Sequence, residues 1–395
     1  MNQFNKDIIA ALSSDKDITL NEVLRRQIEV AANQFLQNEL TAVLGYEPHT
    51  RIDRSKDDVN YRNGAYTRTI DTEYGEINLT IPRDRLNKFQ NALFPPYVRR
   101  TDGLEEMVIK MYSKGVTTRE IADMVERMYG HYYSPTTVSN ITKRTEHLVE
   151  EFHERRFKYS QYVCVFLDAT YIPLRRGTVE REAVNVTIGI RSDGGKEVLD
   201  YSIAPTENGA AWSELLQGLR ARGIKDIQLF IADGLVGLQS AIEANYPQAK
   251  FQRCWVHAER NLLGYVRKND RREIITDFKA IRQAENLQAA KERLAAFSAK
   301  WESSYKRRIK NLVQMEELFT FFSFPTAIRQ TIYSTNLIES FNKSLKKMVR
   351  RKEQFPNEGA LDRFIMTQVM EDNDKFENRA HRGFKDCHDT LDSMF

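Results

Sequence analysis

The stretch LFIADGLVGL, residues 229–238, combines an apolar run with a carboxylate at the point where the chain must turn. Asp233 follows Leu-Phe-Ile-Ala, and Asp168 follows Val-Cys-Val-Phe-Leu in the same way, so each is predicted to end a buried strand. Open α/β sheets place their functional sites at the carboxyl ends of the strands, so both carboxylates could face one cleft. The alternative is that each caps the turn that follows it, which is the usual role of an Asp after a strand.

Around these two residues, the spacing of apolar residues predicts a mixed α/β sheet. Between residues 162 and 257 the predicted order is β, β, β, α, β, α, β, in which the first three strands meander and the later strands return through helices. Ser-Asp-Gly-Gly, residues 192–195, is the predicted turn between the second and third strands. Residues 257–322 are predicted to be almost wholly helical.

A third candidate carboxylate, Glu339, lies in the predicted helix STNLIESFNKSLKKMVRRK, residues 334–352. One side of this helix is predicted to be apolar: Leu337, Phe341, Leu345 and Met348. The side away from it carries Glu339, Asn342, Lys343, Lys346 and Arg350. Six of the ten residues from 343 to 352 are basic and none is acidic, whereas solvated faces usually mix signs. The alternative for Glu339 is a capping box with Asn336 at the start of the helix.

Three carboxylates gathered at one point would repel one another and raise at least one pKa, unless a cation relieved the repulsion. Oxygen ligands without a cage of Cys and His favour Mg²⁺, with Mn²⁺ as the other choice. Two such ions could activate a water or hydroxyl and steady the leaving oxygen in a phosphodiester displacement. The predicted metal ligands, which are also the predicted catalytic residues, are Asp168, Asp233 and Glu339.

Cys254 and His257, in the stretch CWVH, make at most half of a zinc site. The remaining cysteines and histidines lie far away, and only Cys387 and His388 form another close pair. A local packing or hydrogen-bonding role beside the sheet is therefore favoured over zinc.

The amino-terminal part is predicted to begin with a helix over 18–44 that stops at Gly45. A small β element with basic rims follows within 51–85. Residues 115–152 contain two predicted helices joined by a short connection that ends at Ser134 and Pro135, which indicates a helix-turn-helix. The second helix would present side chains able to touch phosphates and base edges: Thr136, Thr137, Asn140, Lys143 and Arg144. The alternative is two packed helices with a solvated basic face.

The composition, 395 residues with 41% apolar content, is that of a folded protein with two or three domains. No apolar run approaches the roughly 20 residues of a bilayer span, and no signal-peptide pattern follows Met1, so a cytoplasmic location is expected. The three cysteines lie far apart, which argues against a disulfide framework. A net charge of +4 does not by itself indicate nucleic acid, so the local distribution of charge must decide.

In its longer motifs the chain resembles bacterial insertion-sequence transposases of the Mutator-like group, specifically the insertion sequence 256 family. The stretches that carry the resemblance run in order from about residue 60 to 350: YRNGAYTRTIDTEYGEINLTIPRDR, SPTTVSNIT, LDATYIPLR, AWSELLQGLRARG, IADGLVGLQSAI, QRCWVHAERNLL and STNLIESFNKSLKK. The sequence departs from the family pattern where Ile172-Pro173-Leu174 precede two arginines, and at Lys343, where Arg is frequent.

This resemblance implies a ribonuclease-H-like core with an Asp, Asp, Glu triad on two metal ions, which falls on Asp168, Asp233 and Glu339. It also implies a helical insertion before the Glu and a Cys-x-x-His motif, here Cys254 and His257. With Asn342, these two would support the site. The implied activity is binding of terminal inverted repeats, cleavage at the 3′ ends of the element and strand transfer to target DNA. Because two ends are processed together, a homodimer or larger assembly on double-stranded DNA is expected.

We therefore predict six segments: an amino-terminal helical and β region (1–100), a helix-turn-helix region (101–158), the first part of the core (159–256), a helical insertion (257–330), the final core helix (331–372) and a polar tail that frays (373–395). The predicted DNA contacts are Arg62, Arg68, Arg83, Arg85, Thr136, Thr137, Asn140, Lys143, Arg144, Arg175, Arg176, Lys343, Lys346, Lys347, Arg350 and Arg351. Two other functions stay open, a ribonuclease-H-like nuclease that does not join strands and a catalytically inactive helix-turn-helix regulator.

Overall fold

The computed structural model describes residues 18–52, 59–92, 100–130 and 132–395. By its internal contacts the chain divides into two compact units, with the boundary after Arg144. The predicted six-segment division is finer than these units and stays a prediction. Among the described residues, none of the helices is both long enough and apolar enough to cross a membrane.

In the first unit, a long helix packs on a two-stranded antiparallel hairpin. Helix α1 spans Leu20–Leu44, and the hairpin strands are β1, Arg62–Thr72, and β2, Gly75–Asp84. The Thr19 side chain caps the start of α1, and Gly45 ends it with a left-handed φ of 76°. The small core between helix and hairpin contains Ala32, Leu36, Ile70, Ile77, Leu79 and Ile81. The predicted helix and β element are both present.

Three helices complete the first unit: α2, Asp102–Ser113, α3, Thr118–Tyr129, and α4, Pro135–Lys143. A capping box between Thr117 and Glu120 starts α3, and the Ser134 side chain accepts a hydrogen bond from the Thr137 N–H at the start of α4. The three helices pack against one another. The structure thus has the predicted order of helix, short connection and helix.

The second unit begins with helix α5, Glu146–Glu154, and contains a five-stranded mixed sheet. Its strands are β3, Gln161–Arg176; β4, Thr178–Ile190; β5, Lys196–Ala204; β6, Asp226–Ala232; and β7, Lys250–Arg253. The order across the sheet is β5-β4-β3-β6-β7, with antiparallel β3, β4 and β5 and with β6 and β7 parallel to β3. Helices α6, Gly209–Ala221, and α7, Leu238–Asn245, connect the parallel strands. This is the predicted meander followed by helical returns.

The core of this sheet is formed where α6 and α7 cover it. Trp212 and Leu216 of α6 and Ile242 of α7 are buried against Val165 and Phe230 of the strands. Each of these side chains is almost wholly removed from water, and burying a large apolar side chain contributes about 1.5–3 kcal/mol. The segments of β3 and β6 that lead to Asp168 and Asp233 are therefore held on a rigid base.

A helical region follows β7. It comprises α8, Trp255–Leu263; α9, Arg271–Arg282; α10, Leu287–Val313, kinked at Tyr305; two short 3₁₀ turns, Glu316–Leu318 and Thr320–Ser323; and α11, Thr326–Ile332. Trp255 is buried and its ring lies 4.9 Å from that of Phe278. The almost wholly helical character of this region agrees with the prediction.

Helix α12, Asn336–Lys352, does not bury the predicted face. Its buried residues are Ile338, Phe341, Asn342, Leu345 and Val349, whereas Leu337 and Met348 are only partly buried. The prediction was thus wrong at both ends of the apolar stripe. At each end two apolar residues are adjacent, Leu337 with Ile338 and Met348 with Val349, and the helix buries the second of each pair. The rotation of the helix also places Asn342 inside, not on the basic side where the sequence analysis put it.

The carboxyl-terminal segment is folded, and the prediction that it frays was wrong. After α13, Glu358–Phe376, the chain forms a 3₁₀ turn at Lys385–Cys387 and the short helix α14, His388–Asp392. Phe384 and Leu391 are fully buried, and the His381 N–H donates to the Gly194 carbonyl at 2.7 Å. These apolar side chains anchor a segment whose overall composition is polar.

Candidate active site

Asp168 and Asp233 lie at corresponding positions on neighbouring parallel strands. Phe166 of β3 pairs with Ile231 of β6, and each carboxylate comes two residues after its member of this pair. The structure therefore places the two predicted residues side by side. Asp233 follows the end of β6, as predicted. The prediction that Asp168 ends a strand was wrong, because β3 continues past it to Arg176 as a hairpin with β4. Asp233 also accepts a hydrogen bond from the Leu235 N–H at 3.1 Å, so it caps the following turn, as the alternative interpretation predicted.

Glu339 reaches the same site from the first turn of α12. The Thr335 carbonyl accepts the Glu339 N–H at 2.9 Å, and Asn336 is already inside the helix. The capping-box alternative for Glu339 was therefore wrong. Instead, the Glu339 carboxylate accepts two hydrogen bonds from the Arg260 guanidinium, at 3.0 and 3.2 Å.

Asn342 links α12 to strand β3. Its amide donates to Asp168 Oδ2 at 2.8 Å, although the two residues are 174 positions apart in the chain. Asn342 is buried, so its side chain is fixed in place. The predicted supporting role of Asn342 thus has a geometric counterpart, since it orients one of the candidate carboxylates.

The pKa of Asp168 reflects the proximity of the other two candidate carboxylates. Burial raises the pKa of Asp168 to about 6, and the negative charges of Glu339 and Asp233 add to this rise. The Asn342 hydrogen bond and the nearby His257 oppose it. At neutral pH the site therefore holds close negative charge that is only partly compensated by its neighbours.

Cys254 and His257 support Glu339 through a short chain of contacts. The Thr335 hydroxyl donates to the Cys254 sulfur at 3.2 Å and lies 3.3 Å from His257 Nδ1. The other ring nitrogen, His257 Nε2, lies 3.4 Å from Glu339 Oε1. The hydrogen bond with Cys254, above all, raises the pKa of His257. The pair thus has the local hydrogen-bonding role that the sequence favoured over zinc.

A fourth carboxylate near the site, Glu207, was not found from the sequence. It stands just before α6 and accepts a hydrogen bond from Trp212 Nε1 at 3.1 Å. Burial raises its pKa to about 6, and Asp233 and Asp168 contribute to the rise. Because it follows the third strand in a Pro-Thr-Glu-Asn turn, nothing in its local sequence distinguishes it from a surface residue.

Arg260 and Thr335 were also missed. Arg260 follows His257 by three residues on α8, so the two side chains share one helix face, and this spacing could have indicated it. Thr335 has no comparable signal in the sequence.

Among the described residues, no group of three or more His, Cys, Asp or Glu side chains is placed to hold a metal ion. The contact of Glu339 with Arg260 turns that carboxylate toward the helical region.

A cleft of about 810 Å³ opens beside Asp168 and Glu339. Four predicted basic residues of α12 line it, and all are exposed: Lys343, Lys346, Lys347 and Arg350. His257 and Arg260 lie on its wall as well. Arg351, also predicted, is exposed but does not line this cleft.

The other predicted contacts of the second unit lie at the far end of β3. Arg175 is exposed, and its backbone N–H donates to the Phe355 carbonyl at 3.0 Å. Arg176 forms ion pairs with Glu182 and Glu358. A contact of Arg176 with DNA would therefore compete with two carboxylates.

In the first unit, several predicted contacts have partners within the fold. Arg62 donates to the Thr41 hydroxyl at 2.7 Å, and Arg144 pairs with Glu105. The Arg83 guanidinium stacks 4.6 Å from the Tyr66 ring, and that of Arg85 lies 5.9 Å from the Tyr61 ring. Arg68 is partly buried and Thr137 lies in the first turn of α4, whereas Thr136, Asn140 and Lys143 are exposed along that helix. The helix face thus remains available as predicted.

Comparison with known proteins decides the family. The model of the family described as "Transposase, Mutator family" matches residues 2–379, which is nearly the whole chain. The chain belongs to the Mutator family of transposases. The resemblance found from the sequence is thereby confirmed.

The relatives of this Mutator-family chain include transposases of named insertion sequences. It is 48% identical to the transposase for insertion sequence element IS905 of Lactococcus lactis, over 100% of both chains. It is 49% identical to the transposase for IS1201 of Lactobacillus helveticus, over 94% of this chain and 99% of that one. The transposase for IS256 in transposon Tn4001 of Staphylococcus aureus is 26% identical over 90% of this chain and 91% of its own.

Proposed function

We propose that this Mutator-family protein is the transposase of an insertion sequence and that it cuts and joins DNA at Asp168, Asp233 and Glu339. The observation that carries the proposal is that Asp168 and Glu339 line one basic cleft, with Asp233 beside Asp168 on the neighbouring strand. The order β5-β4-β3-β6-β7, with two strands parallel to the central one, supports a ribonuclease-H-like core. The chemistry would then be a phosphodiester cleavage followed by strand transfer.

The three carboxylates are the ligand type that Mg²⁺ or Mn²⁺ prefers, although their side chains would have to turn toward one point to hold an ion. Asp168, Asp233 and Glu339 offer hard oxygen donors, and burial, with a contribution from the charges of Glu339 and Asp233, raises the pKa of Asp168. Divalent ions would relieve the repulsion between these charges, activate the attacking water or 3′ hydroxyl and stabilise the leaving oxygen. Glu339 would first have to leave Arg260, with which it is paired.

The chain's own residues prepare the substrate around these carboxylates. Asn342 holds Asp168 in one orientation through its 2.8 Å hydrogen bond. Lys343, Lys346, Lys347 and Arg350 would bind phosphates of the DNA that lies in the cleft, as their exposure on one helix face allows. Thr136, Asn140 and Lys143 of α4 would read the terminal inverted repeats. A homodimer or larger assembly would hold two ends together.

The experiment compares Asp233→Asn with Asp226→Asn on DNA fragments that carry the sequences flanking this reading frame. Asp226 lies exposed at the other end of β6, so the control changes the same residue type on the same strand. We expect Asp233→Asn to abolish cleavage and to leave DNA binding intact, and Asp226→Asn to cleave normally. Cleavage by Asp233→Asn would remove this residue from the catalytic site.

The joining step is tested separately. Labelled ends with a free 3′ hydroxyl are incubated with the protein, Mg²⁺ and plasmid DNA, and joined product is measured. Joined product supports a transposase, whereas cleavage without joining would indicate a nuclease. Binding of the end fragments should weaken steeply with salt, because the basic residues meet phosphates.

A further inference from the structure

A second cavity adjoins the candidate active site on the side of the helical region. Its volume is about 460 Å³, within the range of sites that hold small organic groups. It is enclosed by the loop after β6 and by helices α8 and α10, and Asp233 and His257 stand at its border with the catalytic carboxylates. Of the residues that line it, only His257 also lines the basic cleft. The cavity is thus a separate compartment next to the reacting centre.

One wall of this cavity is an aromatic ring backed by a guanidinium. The Arg308 guanidinium carbon lies 3.2 Å from the centroid of the Tyr265 ring, so Arg308 covers one face of that ring. Tyr265 is nevertheless 59% exposed. A flat group in the cavity could stack on the exposed ring surface or on the guanidinium plane, and single-stranded nucleic acid binds proteins through stacking of this kind.

Other walls carry polar atoms that have no hydrogen-bond partner among the described residues. Asn261 of α8 and Asn311 of α10 line the cavity and are exposed, and neither side chain has a hydrogen-bond partner among the residues that the structure describes. In the same part of the chain, the Nε of Arg253 is buried without an acceptor. Two amides and a guanidinium nitrogen are thus available for a ligand that both donates and accepts hydrogen bonds.

We propose that this cavity binds one unstacked nucleobase of the DNA substrate, next to the phosphate that is cut. The proposal rests on the proposed function, which places that phosphate at Asp233. A base has a flat ring for Tyr265 and an edge of donors and acceptors for Asn261 and Asn311, and amide side chains pair well with such edges. Enzymes that act at a single nucleotide often take it out of the stack into such a pocket.

Binding of a base in the cavity would position the phosphate that is cut. A base held between α8 and α10 fixes the rotation of its nucleotide, so the adjoining phosphate stays at the border residues Asp233 and His257. The cost of unstacking is offset by the stacking and hydrogen bonds in the cavity.

A cleavage cycle on Tyr265→Ala tests the proposal. The wild type and the variant each cut an end fragment and the same fragment lacking one base, with the missing base moved stepwise across the cleavage point. At one position we expect the variant and the missing base each to slow cleavage by roughly tenfold and the combination to slow it no further. Independent, multiplying losses at every position, or no loss with either, would overturn the proposal.

Tyr159→Ala is the matched control. Tyr159 is an exposed tyrosine whose ring also lies under an arginine, with the Arg191 guanidinium carbon 4.0 Å from its centroid. We expect this variant to cut intact DNA as the wild type does, and a loss equal to that of Tyr265→Ala would overturn the specific role of the cavity. Asn261→Ala should reproduce the position-specific loss, and thermal melting confirms that each variant is folded.

A direct measurement uses 2-aminopurine at the position found in the cycle, in a Glu339→Gln background that binds DNA without cutting it. Fluorescence should rise several-fold on binding and fall when Tyr265→Ala is added. An unchanged signal with a cleaving wild type would refute the cavity proposal alone. Failure of the wild type to cleave any end fragment would instead refute the proposed function.

Discussion

Replacing Arg260 by Gln removes the fork that holds Glu339 and should strengthen metal binding. In the structure the two groups are joined by hydrogen bonds of 3.0 and 3.2 Å, and the Arg260 side chain is 56% exposed. A metal ion that takes Glu339 as a ligand must displace this guanidinium. The energy of the ion pair is therefore subtracted from the affinity for the metal.

The size of the effect follows from the geometry. Exposed ion pairs contribute about 0.2–1 kcal/mol, and a bidentate arginine lies at the upper end of this range. A gain of about 1 kcal/mol corresponds to a dissociation constant for Mn²⁺ that is about fivefold lower. Arg260→Lys keeps the charge but loses the fork, so it should lie between the wild type and Arg260→Gln.

Lys343→Gln separates this competition from a general loss of positive charge. Lys343 lines the same cleft and is one helical turn from Glu339, but no ion pair joins the two in the described part of the chain. Titration calorimetry with Mn²⁺, without DNA, should show little change for Lys343→Gln. Equal affinities for Arg260→Gln and Lys343→Gln would refute the competition, and a wild type without saturable binding would refute the metal site itself.

Three further predictions concern stability. Burial alone would lower the pKa of His153, but hydrogen bonds to the carboxylates of Asp200 and Asp362 outweigh burial and raise the pKa from 6.5 to about 9. Protonated His153 and its carboxylate partners therefore stabilise the fold fully below pH 6.5, and about 1–2 kcal/mol of the free energy of unfolding should be lost as the pH rises to 9. Urea unfolding of the wild type and of His153→Gln at several pH values measures this loss. A difference between the two proteins that did not change with pH would contradict it. Gly383→Ala should destabilise the protein by about 2 kcal/mol or more, because φ is +86° and the new Cβ would lie 2.3 Å from the Ala327 carbonyl oxygen, and an unchanged melting temperature would speak against a docked carboxyl-terminal segment. Gly218→Ala, inside α6, should instead stabilise the protein by about 0.5–1 kcal/mol, because the new Cβ would lie 3.9 Å from an Arg222 side-chain nitrogen without a clash; the same melting assay would show the gain.

The sheet could be predicted from the sequence because its strands are local apolar runs with clear turns. Asp168 and Asp233 each follow such a run, and the parallel pairing of β3 with β6 sets them side by side. The strand beyond Asp168 was missed because its pairing with β4, which continues to Arg176, is not marked by an apolar run. The family resemblance added Glu339, which the local pattern alone left undecided between a site and a cap. The strands and the two aspartates could be predicted because their positions depend on residues that are close in the sequence.

The face of α12 shows where the pattern stops being informative. Leu337, Phe341, Leu345 and Met348 are spaced by four, four and three, and Ile338, Phe341, Leu345 and Val349 by three, four and four, so both sets suit a helix. Tertiary packing selects the second set. With the second set buried, Asn342 also faces the interior and contacts Asp168. The spacing in the sequence had placed Asn342 on the outer face of the helix.

Arg260 and Glu207 could not be placed because their partners are distant in the chain. Arg260 meets a residue 79 positions later. Glu207 is near the site only because it bonds to Trp212 of α6, the helix that packs over β3 and β6. Charged residues of this kind look like ordinary surface until the fold is known.

The hydrogen bond between Asp168 and Asn342 spans 174 residues of chain. During synthesis, the strands that bear the two aspartates are made well before α12, and the helical region must be completed between them. A product that terminated within that region would have two of the acidic groups but neither Glu339 nor Asn342, and it would keep the whole first unit. On the proposed function, such a product would keep the helix proposed to read the terminal repeats but would lack Glu339, which the proposed cutting requires.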